Sequence, residues 1–168
     1  MEQNDRAPPT IQASRDAGAE VVACLRDSTA LGSFDRLLVV SIEAVDGRVL
    51  VQAARTCDAY RLPRTFDAAT AASHDPWLPF DDAAFDAVVL YRVTRHEVDI
   101  DLLLGEAGRV LRPEGHVVVL EHQTDFAFAP LPEAGPAHLL HGWLRHAGFA
   151  HVDLAERAGP CVVAVAHA

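Results

Sequence analysis

The chain has 168 residues, a hydrophobic content of 50% and a formal net charge of -10, with 24 acidic and 14 basic side chains. This length and composition predict one folded domain with a buried core. The acidic excess argues against nucleic acid as a partner, because two polyanions repel each other. Apart from histidine, every basic residue is arginine, so chemistry that needs a lysine amine is excluded.

Apolar segments and cysteines indicate the compartment. No apolar run approaches the roughly 20 residues that span a bilayer, and the polar residues 1–10 do not resemble a signal peptide. The cysteines, Cys24, Cys57 and Cys161, are odd in number and far apart. This pattern favours buried thiols over a disulfide framework or a zinc site. We therefore expect a cytoplasmic protein that binds neither membrane nor nucleic acid.

The first third of the chain predicts a tail, a helix and a strand. Residues 1–14 are polar and proline-containing, and we expect a flexible tail followed by a single domain over residues 15–168. Apolar residues at helical spacing predict an amphipathic helix from residue 15 to residue 31, ended by Gly32. The apolar run 36–42 is typical of a strand buried on both faces.

A shorter set of elements follows this strand. The turn from Glu43 to Gly47 leads into a predicted helix over residues 48–55, with Asp46 as its N-cap. Residues 58–62 predict the second strand. Only one brief helix, 66–72, fits between that strand and the next motif.

The middle of the chain predicts a strand, a crossover helix and a parallel strand. Residues 85–90 and 117–120 are valine-rich runs, and residues 102–111 have a helical apolar period between them. Pro113 ends the helix and the following glycine turns the chain. A βαβ unit of this kind closes right-handed.

The C-terminal region predicts a helix over residues 137–147, an edge strand over 151–156 and a last apolar strand over 161–166. His138 and His141 share one face of that helix. This spacing is compatible with a metal site, although two surface histidines are the interpretation we prefer.

Two stretches carry a family resemblance. LPFDDAAFDAVVL (78–90) and EAGRVLRPEGHVVVLEH (106–122) resemble the class I S-adenosylmethionine-dependent methyltransferases, in the branch that acts on small molecules. The resemblance implies a Rossmann-like three-layer α/β sandwich with a mostly parallel sheet and an antiparallel last strand inserted beside the fifth. Here the sheet would be shortened, since little chain is left for a third strand.

The resemblance also implies a cofactor site for S-adenosylmethionine. Family members have a glycine-rich turn after the first strand, which lets the backbone approach the cofactor. They also have an acidic residue, which binds the ribose, at the end of the second strand. Here Glu43 and Val45 replace glycines, and Arg61 and Leu62 end the second strand. These departures predict weak or absent cofactor binding. The matching cofactor-binding candidates are Ser41, Glu43, Gly47, Asp75, Trp77 and Arg92.

Acid–base candidates follow the two central strands. His96 comes after the first of these strands, and Glu121 and His122 end the next. Open α/β sheets bind ligands at the carboxyl ends of their strands, so these side chains are the candidates for catalysis. A metal site from the same residues is an alternative with weaker sequence support.

Two interpretations of function stay open. In the first, the chain is a non-catalytic subunit with a degraded cofactor site, paired with itself or with a related methyltransferase subunit. Trp77, Tyr91 and residues 126–128 would then form an apolar rim that a partner covers. In the second, it is an enzyme. It would be either a methyltransferase acting on a small molecule or a cofactor-independent enzyme on the same fold.

Overall fold

A computed structural model of the protein describes residues 9–27, 34–62, 78–94, 98–128, 135–156 and 161–167. Within these ranges the chain forms one six-stranded sheet with helices packed on both faces. The predicted three-layer α/β architecture is therefore confirmed. The four valines expected in its centre, Val88, Val89, Val118 and Val119, are buried.

The elements have the following bounds. The strands are β1 (Phe34–Ser41), β2 (Ala54–Arg61), β3 (Phe85–Tyr91), β4 (Leu111–His122), β5 (His151–Glu156) and β6 (Cys161–His167). The helices are α1 (Pro9–Asp27), α2 (Gly47–Leu50), α3 (Ile100–Val110) and α4 (Pro136–His146), and a 3-10 helix spans Gln123–Phe128.

The strand order is β2-β1-β3-β4-β6-β5. β2, β1, β3 and β4 run parallel, whereas β6 is antiparallel to both of its neighbours. The expected insertion of the last strand is thus confirmed. Between β2 and β3 the described residues contain no further strand, and the brief helix predicted over residues 66–72 lies outside them.

Helix α1 begins earlier than the sequence suggested. It starts at Pro9 and ends at Asp27, so residues 9–14, which we expected in a flexible tail, are helical. Proline is favourable in the first helical turn, where its missing N–H leaves no hydrogen bond unmade. The described part of the helix ends at Asp27, and the Gly32 that was expected to end it lies outside the described residues.

The prediction of a long helix after β1 was wrong. Helix α2 covers only Gly47–Leu50, and β2 begins at Ala54 instead of residue 58. Residues 54–61 pair in register with β1, from Phe34↔Ala54 to Ser41↔Arg61. Sheet pairing over this length outweighs the local helical propensity of the segment.

The core has two parts, one on each face of the sheet. Leu37 and Val39 of β1 face α1 and α2, while Leu38 and Val40 face α3 and α4. This alternation follows from the period of two along a strand. No helix within the described ranges is long and apolar enough to cross a membrane.

Candidate functional site

The turn after β1 is held by its own side chains and by α1. The Ser41 hydroxyl accepts a hydrogen bond from the Glu43 N–H at 3.1 Å. The Asp46 carboxylate accepts from the Arg48 N–H at 2.9 Å, and the Asp46 N–H donates to the Ser14 carbonyl at 3.0 Å. Asp46 is therefore the N-cap of α2, as predicted. The backbone N–H groups of this turn are partly used by the protein itself.

The end of β2 carries a cation beside this turn. The Arg61 Nε donates to the Ile42 carbonyl at 3.0 Å. Between β2 and the turn lies a cavity of about 170 Å³, lined by Val39, Ser41, Glu43, Ala44, Val45, Ala59, Tyr60 and Arg61. The lining of this cavity therefore includes Glu43 and Val45, at positions where the family resemblance predicts glycines.

Arg92 crosses the carboxyl edge of the sheet. It follows β3 directly in the left-handed backbone region, with φ of 53°. Its Nε and Nη2 donate to the two oxygens of Asp125 at 2.7 and 2.8 Å, and its Nη1 lies 3.5 Å from Glu43 Oε2. Since β3 lies between β1 and β4, the guanidinium links the exits of all three strands. A fork-to-fork pair of this kind fixes the side chain in one orientation.

The charges of this bridge depend on each other. Burial alone would raise the pKa of Asp125, but the hydrogen bonds and charge of Arg92 lower it below its usual value. The pKa of Arg92 is raised further by its hydrogen bonds to Asp125, against the effect of burial. Both groups are consequently ionised at neutral pH. The Asp125 side chain is only 2% exposed, so its charge is compensated mainly by Arg92.

Glu121 is a buried carboxyl group near the Arg92–Asp125 pair. One of its oxygens accepts from the N–H groups of Val93 and Thr94 at 2.8 and 3.0 Å, and the other accepts from the Thr94 hydroxyl at 2.7 Å. Burial raises its pKa to about 8, and the hydrogen bonds from Thr94 offset part of that rise. The carboxyl group therefore holds the chain that leaves β3.

A hydrogen-bonded group of Glu20, Tyr91 and His122 joins α1 to the carboxyl edge of the sheet. Glu20 of α1 accepts from the Tyr91 hydroxyl at 2.6 Å, and its other oxygen lies 2.6 Å from His122 Nε2. Burial, and then the Glu20 carboxylate, raise the pKa of Tyr91 above its usual value. A carboxylate hydrogen-bonded to one imidazole nitrogen orients the ring and its tautomer.

The structure brings together Ser41, Glu43, Gly47, Arg92, Glu121 and His122 at the carboxyl edge of the parallel strands. His96, Asp75 and Trp77 lie outside the described residues. Glu20 and Asp125 were missed by the sequence analysis. Asp125 follows β4 closely, so its place after a strand was an available signal. Glu20 had none, because it is distant in sequence and lies on a helix.

The expected apolar rim was wrong at two positions. Tyr91 and Phe126 are each 2% exposed and belong to the two core clusters.

The pair His138 and His141 stacks on α4 with ring centroids 6.4 Å apart. In the part of the chain that the structure describes, no group of three or more metal-binding side chains is arranged to hold an ion.

Comparison with known proteins identifies the family. The sequence model of the methyltransferase domain family matches residues 32–119, which is more than half of the chain. The chain belongs to the methyltransferase domain family. The match begins before β1 and ends within β4. It therefore includes β1, β2, β3 and most of the candidate site.

Two curated relatives match a shorter stretch of this chain. The demethylmenaquinone methyltransferase of Mycolicibacterium gilvum is 49% identical over 47 residues, which are 28% of this chain and 21% of that protein. The demethylmenaquinone methyltransferase of Thermus thermophilus is 52% identical over 44 residues, 26% of this chain and 20% of that protein. The match thus spans about a fifth of each relative.

Solved methyltransferase structures share the fold over most of the chain. An S-adenosylmethionine-dependent methyltransferase from Aquifex aeolicus superposes with a TM-score of 0.62 at 10% identity, covering 96% of this chain and 99% of that one. The 1,6-didemethyltoxoflavin-N1-methyltransferase of Burkholderia thailandensis, solved with S-adenosylhomocysteine, gives a TM-score of 0.55 at 18% identity, covering 94% and 80%. At these identities the likeness concerns the fold.

Proposed function

We propose that this chain is a non-catalytic member of the methyltransferase family that acts as a subunit or binding partner. The observation that carries the proposal is the position of Arg92. Its guanidinium lies across the exits of three parallel strands and is held there by Asp125 and Glu43. Open α/β sheets bind their ligands in this crevice, and here Arg92 with its own counter-ions occupies the part of it beside the cavity at the β1 turn.

The residues present do not fit S-adenosylmethionine well. The cofactor's amino-acid end is a zwitterion, and its carboxylate would meet Glu43 at the β1 turn. Val45 has a side chain where family members have a glycine, and it lines the cavity beside the turn. At the end of β2, Arg61 stands in place of a ribose-binding carboxylate and already donates to Ile42. Each of these differences opposes a separate part of the cofactor.

The charge of the chain supports a related subunit over a second copy as the partner. The net charge of -10 disfavours association of two identical chains through electrostatic repulsion. A less acidic methyltransferase subunit lacks that penalty. The outer strands β2 and β5 each pair with a single strand within the described ranges, and an unpaired strand edge is a surface on which another chain can add.

The test is cofactor binding by the intact chain. A ligand that binds only the folded state raises the melting temperature, and the stabilisation grows with the logarithm of the ratio of ligand concentration to Kd. We expect no change in melting temperature with S-adenosylmethionine or S-adenosylhomocysteine at about 100 times a micromolar Kd, a concentration that would add about 2.7 kcal/mol for a site of that affinity. A demethylmenaquinone methyltransferase serves as the positive control. A saturable shift with this chain would contradict the proposal.

A second candidate function is an active methyltransferase that acts on a small molecule. The local identity of about half with two demethylmenaquinone methyltransferases favours it, and a quinone-like acceptor would then be the first substrate to try. In an enzyme on this fold, with or without the cofactor, His122 would be the acid–base group, because Glu20 orients its ring. Replacing His122 by Gln would then reduce the rate by about a hundredfold or more.

A further inference from the structure

Three histidines form a row across the sheet, at the opposite end from Arg92. His167 of β6 is paired with His116 of β4 on one side and with His151 of β5 on the other. Residues directly paired across antiparallel strands point to the same face of the sheet. The three imidazoles therefore lie on one face, the face covered by α1 farther along the strands.

The spacing of the rings suits a shared metal ion. The ring centroids of His116 and His167 are 4.4 Å apart, and those of His151 and His167 are 6.4 Å apart. Two imidazoles that bind one tetrahedral ion through nitrogen at ~2.0–2.1 Å have centroids about 5 Å apart. The two observed distances lie on either side of this value. A change of roughly 1 Å in each separation would bring both pairs to it.

His116 has an unused nitrogen. Its Nδ1 is buried and has no hydrogen-bond partner, although buried polar atoms are nearly always paired. The ring packs edge-on against Phe34, with centroids 6.1 Å apart. It also lines a cavity of about 250 Å³ at this end of the sheet, together with Phe34, Asp86, Arg112, Pro113, Glu114 and Gly115. A cation held between the imidazoles would satisfy this nitrogen.

The surrounding charges do not oppose a cation. Arg112 is the basic side chain that lines the cavity, and its Nη1 lies 2.6 Å from Asp86. The charge of Arg112 is therefore compensated locally. The chain as a whole is strongly acidic, which raises the local concentration of cations near its surface.

We propose that His116, His151 and His167 form a binding site for a divalent transition metal of the zinc type. Neutral imidazoles are the preferred ligands of zinc, copper, nickel and cobalt in proteins. As the side chains stand, the described residues contain no closed three-ligand cluster, so His151, which is exposed on the edge strand, rotates toward His167 on binding. This site is distinct from the carboxyl edge, because His116 and His122 are six residues apart along β4, about 20 Å.

The experiment uses the full chain without a histidine tag, stripped of metal. Calorimetric titration with Zn²⁺, and visible absorption with Co²⁺, should each give one site per chain. His167→Gln and His151→Gln should each weaken binding at least about tenfold, since even changes around the ligands of metal sites have that effect. Melting temperatures without metal identify any variant that fails to fold. If His167→Gln fails to fold, the affinity of the His151→Gln variant for Zn²⁺ tests the proposal, because His151 is exposed.

The matched control is the double variant His138→Gln/His141→Gln. It removes the other close histidine pair of the described chain, on α4, and should leave the affinity for Zn²⁺ unchanged. Absence of binding to the unaltered chain would overturn the proposal. So would binding that survives His151→Gln and His167→Gln, or binding lost in the α4 variant.

Discussion

Glu121 determines how the chain leaves β3. Its carboxyl group receives the N–H groups of Val93 and Thr94 and the Thr94 hydroxyl, directly after the left-handed residue Arg92. A non-glycine residue in that conformation persists only where its surroundings hold it there. Glu121 supplies part of that restraint from the neighbouring strand. It therefore also helps to set the direction of the Arg92 side chain.

The raised pKa of Glu121 gives a prediction for stability against pH. Its pKa is about 8 in the folded chain and about 4.3 in the unfolded chain. The folded state therefore holds an extra proton between these values, and the free energy of unfolding should fall as pH rises from about 5 to about 8. Urea unfolding at several pH values measures this slope.

Substitutions of Glu121 separate charge from hydrogen bonding. Glu121→Gln should flatten the slope and keep most of the stability at pH 5, because an amide can accept from both N–H groups and donate to the hydroxyl. Glu121→Ala should also flatten the slope, and at pH 5 it should lose about 2–5 kcal/mol, since it leaves buried donors unpaired and creates a cavity. Equal slopes in the Gln variant and the unaltered chain would contradict the role assigned to Glu121.

At the scale of elements, the beginning of β4 is a tightly constrained turn. From Leu111 to His116, β4 advances five residues while its partner β3 advances two, from Phe85 to Ala87. Glu114 has a φ of 65° in this bulge. A Cβ on Gly115 would lie 2.8 Å from the Arg112 carbonyl and 3.2 Å from the Asp86 carbonyl. The bulge therefore requires a residue without a side chain.

A pair of glycine substitutions tests this constraint. Gly115→Ala should destabilise the chain by about 1–3 kcal/mol, because the added methyl group meets backbone atoms that cannot move away. Gly105→Ala is the control, since a Cβ there meets nothing within 4 Å on the exposed side of α3. It should stabilise the chain by about 0.5–1 kcal/mol through helix propensity. Thermal or urea unfolding measures both, and changes of the same sign would refute the argument.

The sequence predicted those elements whose pattern of apolar residues is contained within the element itself. The valine-rich strands β3 and β4, the helix between them and the strand β6 were predicted, because each carries its burial pattern within its own residues. The antiparallel direction of β6 came from the family resemblance. The long helix expected after β1 was wrong, since residues 54–57 become strand only through pairing with β1. Local propensity contains no information about a partner strand.

The same reasoning applies to the candidate site. The positions of Arg92, Glu121 and His122 at strand ends were predictable, because the ends of parallel strands meet at one edge. Their partners were not. The Arg92–Asp125 pair and the Glu20–His122 pair join residues 33 and 102 positions apart. Only the folded arrangement brings such residues together.

At the scale of the whole molecule, the described surface offers little apolar area for a partner to recognise. Among the described residues, the large hydrophobic side chains that are exposed are Ile11, Val51 and Leu154. Each lies on a different element, α1, the turn before β2 and β5. An association would therefore use strand edges and charge in addition to apolar contact.

Light scattering tests the association. We expect the 18.1 kDa chain to form a mixed complex with a related, less acidic methyltransferase subunit, such as the product of an adjacent methyltransferase gene, burying about 1,200 Å² or more in total. High salt should weaken it if opposite charges contribute. A mass equal to that of the monomer, alone and with each such subunit, would contradict the proposed role.

The contacts of α1 also bear on the order in which the chain folds. Glu20 bonds to Tyr91 and to His122, residues 71 and 102 positions farther along the chain. Contacts between such distant positions carry a large cost in chain entropy before they form, and they slow folding. The Glu20 contacts of this helix can therefore form only after β3 and β4 have assembled. During synthesis this helix would be made before these two strands and would complete its docking after them.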